Sequence, residues 1–215
     1  MIKKQSTKSE PSPVGRVRTP SYRSVQARHA ILVAARQLLR SRGYARTTME
    51  AVATKAGVGK ITVYRRWPSK GALALEVLLE FQDFGPAPDT GTTRGDLIAI
   101  VRRLHGGLAH PTATAIIPGL ATDMARDPTL AETFRDRFVA PRRKSVGEVI
   151  QRAVQRGDLP IDVDEDLLID LLIGPFYYRI FITGHRVDQD LAEQLVDFVL
   201  LRQIPQIPKL VRPVA

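Results

Sequence analysis

Lys60, Ile61, Thr62 and Arg65 bring an ammonium, a methyl-rich side chain, a hydroxyl and a guanidinium together within six residues. These are the group types that read base edges and phosphates in the major groove of a duplex. On a helical wheel for residues 59–67, Val63 and Trp67 fall four apart on one side, and Ile61, Thr62 and Arg65 point the other way. Lys60 and Tyr64 flank the seam. A solvated amphipathic helix with Arg65 and Arg66 in water is the competing explanation of the same pattern. Lys70 sharpens the choice. Ser69 is a good N-cap, so Lys70 falls in a first helical turn, where the helix dipole disfavours a cation. A phosphate docked there would complement both the free amides and the ammonium, although a lysine flexible enough to swing clear would also be tolerated.

Other chemistries are poorly supplied. The run Gly57-Val58-Gly59-Lys60-Ile61-Thr62 superficially suggests a phosphate loop, but Thr54 stands where the first glycine belongs and Ile61 where Ser or Thr must follow the lysine. A dinucleotide fingerprint fails as well, with Thr62 at the third glycine position and a helix in place of the preceding strand. There is no cysteine, hence no disulfide framework, thiolate nucleophile or zinc-finger ligation. His29, His105, His110 and His185 have no metal-binding spacing, and no G-x-S-x-G elbow occurs. The densest acidic run, Asp162, Asp164, Glu165 and Asp166, decorates a helix start, where negative charge is favoured. The expectation is no enzyme, no metal and no cofactor.

These side chains need helices to position them, and the pattern supplies helices throughout. Ile31, Ala34, Ala35, Leu38 and Leu39 lie on one face of a first helix that Gly43 stops. Thr47 and Glu50 are spaced as a capping box for a second, short helix ending at Gly57. The third runs from Gly59 to Trp67-Pro68, because a residue before proline is pushed out of the α region. The second and third form a helix-turn-helix. A fourth follows Ser69 and carries Leu73, Val77 and Phe81 inward. After the break Gly85-Pro86-Ala87-Pro88 come helices over about 93–109, 112–126, 128–156, 164–183 and 188–201, with no alternating segment that predicts a strand. The fold class expected is all-α with about nine helices. It divides into a basic arm at 1–24, expected to be disordered, a helix-turn-helix domain at 25–84 and a second helical domain at 92–204.

Charge follows the same division. Residues 1–82 hold 16 Lys and Arg against 4 Asp and Glu, while the other 133 residues hold 16 against 18, so a net +12 head precedes a body of −2. A basic head on a near-neutral body is the asymmetry of a nucleic-acid-binding module attached to something else, although a surplus that merely aids solubility remains open. Arg16, Arg18 and Arg23 precede the first helix, where a basic segment could enter a minor groove or remain solvated. The first twelve residues lack a signal-peptide core, and the richest apolar run, 167–183, is interrupted by Asp170 and Arg179. A soluble, cytoplasmic protein is expected.

Arg42-Gly43-Tyr44, Thr47-Thr48-Met49-Glu50-Ala51-Val52-Ala53, Ala56-Gly57-Val58 and Thr62-Val63-Tyr64-Arg65-Arg66-Trp67-Pro68-Ser69-Lys70 with Leu73 together resemble the DNA-binding domain of TetR/AcrR-type transcriptional regulators. The resemblance spans about residues 25–80. It implies an all-helical homodimer whose third helix enters the major groove, and a C-terminal domain whose ligand changes the separation of the two reading heads. By position, Lys60, Ile61, Thr62 and Arg65 would lie nearest the bases, with Thr48, Tyr64 and Lys70 on phosphates. Gly59 stands where the family often has a capping Ser, Trp67 where Phe is commoner and Gly71 where Glu is commoner. Arg152-Ala153, Arg156-Gly157-Asp158-Leu159 and 172–179 are similar to one subgroup, which has no single ligand.

In the C-terminal half, the helix over 164–183 is apolar nearly all round and must be covered on more than one side. With the stripe Leu191, Leu195, Phe198 and Arg202 of the last helix it could form a four-helix subunit interface including Ile173 and Phe181; an extended monomer core is the alternative. Pro175 and Pro118 should bend their helices and open a cavity among His105, Met124, Phe134, Phe138, Phe176 and Tyr177, unless these are simply packed core. The function expected is a ligand-responsive DNA-binding transcriptional regulator, a repressor that binds a palindromic operator as a homodimer and responds to a small-molecule inducer, with no membrane partner. An inducer-independent architectural DNA-binding protein is the alternative.

Overall fold

The computed structural model describes residues 22–83, 85–185, 187–188 and 190–201. Ten α-helices follow in order: α1 Tyr22–Arg46, α2 Met49–Ala56, α3 Lys60–Tyr64, α4 Lys70–Leu79, α5 Thr93–Ala109, α6 Pro111–Met124, α7 Pro128–Phe134, α8 Ala140–Arg156, α9 Glu165–Tyr178 and α10 Asp190–Leu201. A wide π turn, Arg135–Val139, fuses α7 to α8, and a second, Arg179–Thr183, extends α9, leaving nine continuous rods and no strand among the described residues. The all-α expectation holds. Residues 1–21, including Arg16 and Arg18, lie outside the described residues, and so does Arg202.

Local chemistry sets most of the boundaries. The backbone of Gly43 leaves helical geometry at φ 75°, breaking α1 before its last residues. Gly57 takes the left-handed conformation, φ 65°, that ends α2, and its amide bonds back to Ala53 and Thr54. The predicted capping box shifts by one residue. Thr48 is the N-cap of α2, its Oγ1 accepting from the Ala51 amide at 3.1 Å, while the Thr47 hydroxyl donates to the Gly43 carbonyl at 2.8 Å. Ser69, Asp127 and Asp164 cap α4, α7 and α9 in the same way.

One core runs through both halves. Ile31, Leu39, Val52, Val63, Trp67 and Leu73 close the head, and Leu97, Ile116, Leu120, Ile150 and Leu172 close the body. The halves meet where α6 packs on α1 and α4, and α7 on α4. At this seam Gly119 faces the Tyr44 ring so closely that a Cβ there would collide with it, and Gly71 faces Leu130 in the same way. A larger residue at Gly71, where the family more often has Glu, would require the Leu130 side chain to shift. Tyr44 also donates its hydroxyl to Asp123 at 2.5 Å, and Arg137 pairs with Glu76 at 3.0 Å. Burial, followed by the bond to Asp123, pushes the Tyr44 phenol well above its ordinary range, so it stays protonated as the donor.

Candidate nucleic-acid interface and helical cavity

Helix α3 is a single turn and a half, too short to be stable alone. Val63 and Trp67 fix it from behind, with Val63 fully buried and Trp67 nearly so. Arg66 ties it sideways to the start of α1, donating to the Ser24 carbonyl at 2.7 Å and its hydroxyl at 2.6 Å. With that side anchored, Lys60, Ile61 and Arg65 are exposed, Thr62 is half-buried, and Ile61 leaves 83% of its surface in solvent. Burying so large an apolar group usually rewards folding, so its exposure suits contact with a partner such as a thymine methyl. Lys60 lies 2.5 Å from Glu50, and the Tyr64 hydroxyl donates to the same carboxylate at 3.5 Å. The hydrogen bond from Lys60 holds the Glu50 carboxyl below its ordinary range, and Glu50 in turn raises Lys60.

Lys70 sits at the start of α4 as its cap predicts, yet the structure gives its charge an internal partner. Its ammonium donates to the Tyr44 carbonyl at 3.2 Å and lies 4.2 Å from the centre of the Tyr44 ring. These two contacts offset the dipole penalty that the sequence alone left unexplained. Thr48 precedes α2, Tyr64 ends α3 and Lys70 begins α4, and Thr48 keeps its hydroxyl proton while its oxygen caps α2.

Of the six residues expected to line a cavity, His105, Phe138, Phe176 and Tyr177 do share one, together with Ile173 and Arg142. Met124 and Phe134 do not line it; both are half-buried against the core, and Phe134 stacks on Phe138 with centroids 4.7 Å apart. Ile173, expected at the subunit interface, thus turns into the cavity wall. Phe181 and Leu195 pack half-buried on the core, and Phe198 is 55% exposed. Sequence reasoning missed Arg142, only 8% exposed, whose guanidinium donates to the Phe138 carbonyl at 2.5 Å and to Gln82, and lies over the Phe138 ring. Burial lowers it to about 10, still cationic near neutrality. Burial also lowers His105, keeping the imidazole neutral, and raises the Tyr177 phenol. No helix among the described residues is long and apolar enough to cross a membrane.

Comparison with known proteins agrees with this arrangement. Residues 31–77 match the family model for bacterial regulatory proteins of the tetR family, and residues 87–199 match that for the tetracyclin repressor-like C-terminal domain. The chain is 34% identical over 168 residues to the HTH-type transcriptional regulator YdeS of Bacillus subtilis, covering 78% of this chain and 84% of that one. It is also 34% identical over 179 residues to the DNA-binding transcriptional repressor TetR of Mycobacteroides abscessus, covering 80% and 90%. Among solved structures it is similar to the TetR family transcription regulator SCO0332, with a TM-score of 0.66 at 34% identity over 83% of this chain and 98% of that one. The family consists of DNA-binding transcriptional regulators, typically dimers, and not of enzymes. With family models covering both halves of the chain and relatives matching most of its length, the protein belongs to the TetR family of transcriptional regulators.

Proposed function

We propose that the chain is a repressor that binds a two-fold symmetric operator as a homodimer and releases it when a small molecule enters the cavity between α5, α8 and α9. The observation that carries this reading is the exposed edge of α3, held from behind by Val63 and Trp67, on a head that carries most of the net positive charge. Lys60, Ile61, Thr62 and Arg65 reach base edges; Thr48, Tyr64 and Lys70 take phosphates on either side. Glu50 holds Lys60 and Tyr64 until the duplex competes for them. The name of the Mycobacteroides abscessus relative supports repression as the output.

Dimerisation is assigned to the last two helices. Leu171, Tyr178 and Ile182 lie at i, i+7 and i+11 along α9 and its extension, and all three are exposed, as are Phe198 and Leu201 on α10. An apolar stripe of this kind on adjacent helices suits a second copy related by a two-fold axis. Selecting bound fragments from the host genome tests the reading. It should return a short inverted repeat, bound by two chains per site with half-sites about one helical turn apart. Capture of fragments without a shared sequence would instead favour an architectural DNA-binding protein.

A further inference from the structure

Glu50 is the only acidic residue in the sequence between Arg23 and Leu75, and folding sets it against the reading edge of α3. Its carboxylate lies 2.5 Å from the Lys60 ammonium and accepts from the Tyr64 hydroxyl at 3.5 Å. The ammonium in turn lies 5.5 Å from the centre of the Tyr64 ring. One carboxylate thus engages a residue assigned to a base edge and a residue assigned to a phosphate.

Helix α2 does not require this arrangement. Thr48 caps α2 through the Ala51 amide, so the acidic partner of a capping box would fall at Ala51 and not at Glu50. The helix dipole favours an acid in the first turn of α2, but that benefit needs no lysine from α3. The side chains of Lys60 and Glu50 are 58% and 52% exposed, and an ion pair so open to water contributes little to stability. The carboxylate also works against DNA binding, because it repels phosphates and occupies a cation that would otherwise neutralise one. What a carboxylate can add to a positive surface is discrimination between partners, by disfavouring the wrong ones.

We propose that Glu50 is a specificity-determining residue: it retains Lys60 on duplexes of the wrong sequence and yields it where a base edge offers acceptors. The inference rests on the base-reading assignment of Lys60 above and adds to it a penalty on wrong sequences. Non-specific binding is phosphate electrostatics with counterion release. On such DNA, Lys60 must leave Glu50 to gain a phosphate contact, and the abandoned carboxylate faces the duplex without a donor. On the operator, guanine O6 and N7 accept from the ammonium, and a cytosine N4 amino group is the matching donor for the carboxylate. Glu50 therefore weakens wrong duplexes more than the right one, widening the ratio between the two affinities.

The test compares the full chain with Glu50→Gln on the selected operator and on a scrambled duplex of the same composition, by fluorescence anisotropy from about 50 to 200 mM salt. Glu50→Gln should bind the scrambled duplex about tenfold more tightly at the low end, with a salt slope steeper by about one unit, the value of one added phosphate contact. Operator affinity should change much less, so the specificity ratio falls. Thermal melts of the two proteins should coincide, which separates specificity from folding. In a Lys60→Gln background the same substitution should lose most of its effect on the ratio. Equal tightening on both duplexes would overturn the proposal, since it would reveal only the general field of one charge. No change on either duplex would overturn it as well, and so would an effect that persists in full in Lys60→Gln. A wild-type chain that does not distinguish the operator from the scrambled duplex would instead remove the base-reading assignment, and this inference with it.

Discussion

Lys70 shows how a single side chain can be correctly located in the sequence and still be incompletely understood. Its place in the first turn of α4 followed from Ser69, and a phosphate was the partner the dipole argument suggested. The Tyr44 carbonyl and ring supply a second partner, from a residue 26 positions earlier that no local pattern connects to it. Arg142 was less visible still: in Pro141-Arg142-Arg143-Lys144 nothing distinguishes the arginine that turns inward from Arg143, which pairs with Asp166 and Asp170, or from exposed Lys144. Thr47 and Thr48 carry the same hydroxyl, so the cap slipped by one until backbone geometry chose between them. For Lys70 the account makes a definite prediction. Lys70→Ala should weaken DNA binding about equally on all sequences and lower the slope of log affinity against log salt by about one unit, measured by anisotropy from low to moderate ionic strength.

The elements were legible wherever caps and periodicity agreed, as in α2, α4, α5 and α9, and illegible where the helix changes pitch without a sequence marker. The π turns at 135–139 and 179–183 are of that second kind, since a one-residue slip in hydrogen bonding leaves no hydropathy signal. The Pro and Gly segment after α4 reads as a simple boundary, yet arginines clamp it to the body. Arg103 bonds the Pro86 carbonyl at 2.8 Å, Arg152 the Pro88 carbonyl, and Arg156 pairs with Asp89 at 3.1 Å. At the centre of this clamp Asp96, fully buried in the first turn of α5, accepts from the Thr90 amide at 2.5 Å, the Thr90 hydroxyl at 2.8 Å and Arg156 at 3.0 Å.

Burial alone would raise the Asp96 carboxyl; the Thr90 bonds, Arg156 and the nearby Arg152 charge outweigh it and hold the group below its ordinary range. The folded state therefore binds fewer protons there than the unfolded chain, and the stabilisation is present above about pH 4 and lost as pH falls through the folded value. Asp96→Asn should cost about 3 kcal/mol near neutrality, because it leaves Arg156 and Arg152 without their buried anion. The gap in Tm between variant and wild type should then narrow as thermal scans move from about pH 5 toward pH 3. A gap unchanged across that window would show that Asp96 stabilises through its shape and not its charge.

At the scale of the whole molecule, named side chains knit the head to the body across the seam between them. Tyr44 joins Asp123 on α6 to Lys70 on α4, Glu76 joins Arg28 on α1 to Arg137, and Gln82 joins α4 to Arg142 in the cavity. Each link ties the body to α1, α4 or the chain just after α4 in the head. The asymmetry of charge, readable from a simple count along the chain, marks which end faces the duplex; the links themselves pair residues 26 to 79 positions apart and emerge only on folding. The central claim is that the exposed edge of α3 reads bases while the flanking groups hold phosphates. The measurement that tests it most directly repeats the genomic fragment selection with Arg65→Ala and Thr62→Ala. The account predicts relaxed preference at one or two base pairs in each half-site, worth about 1–3 kcal/mol of discrimination per lost contact, with the rest of the motif kept. Unchanged motifs for both variants, with a motif altered by Lys70→Ala instead, would contradict it.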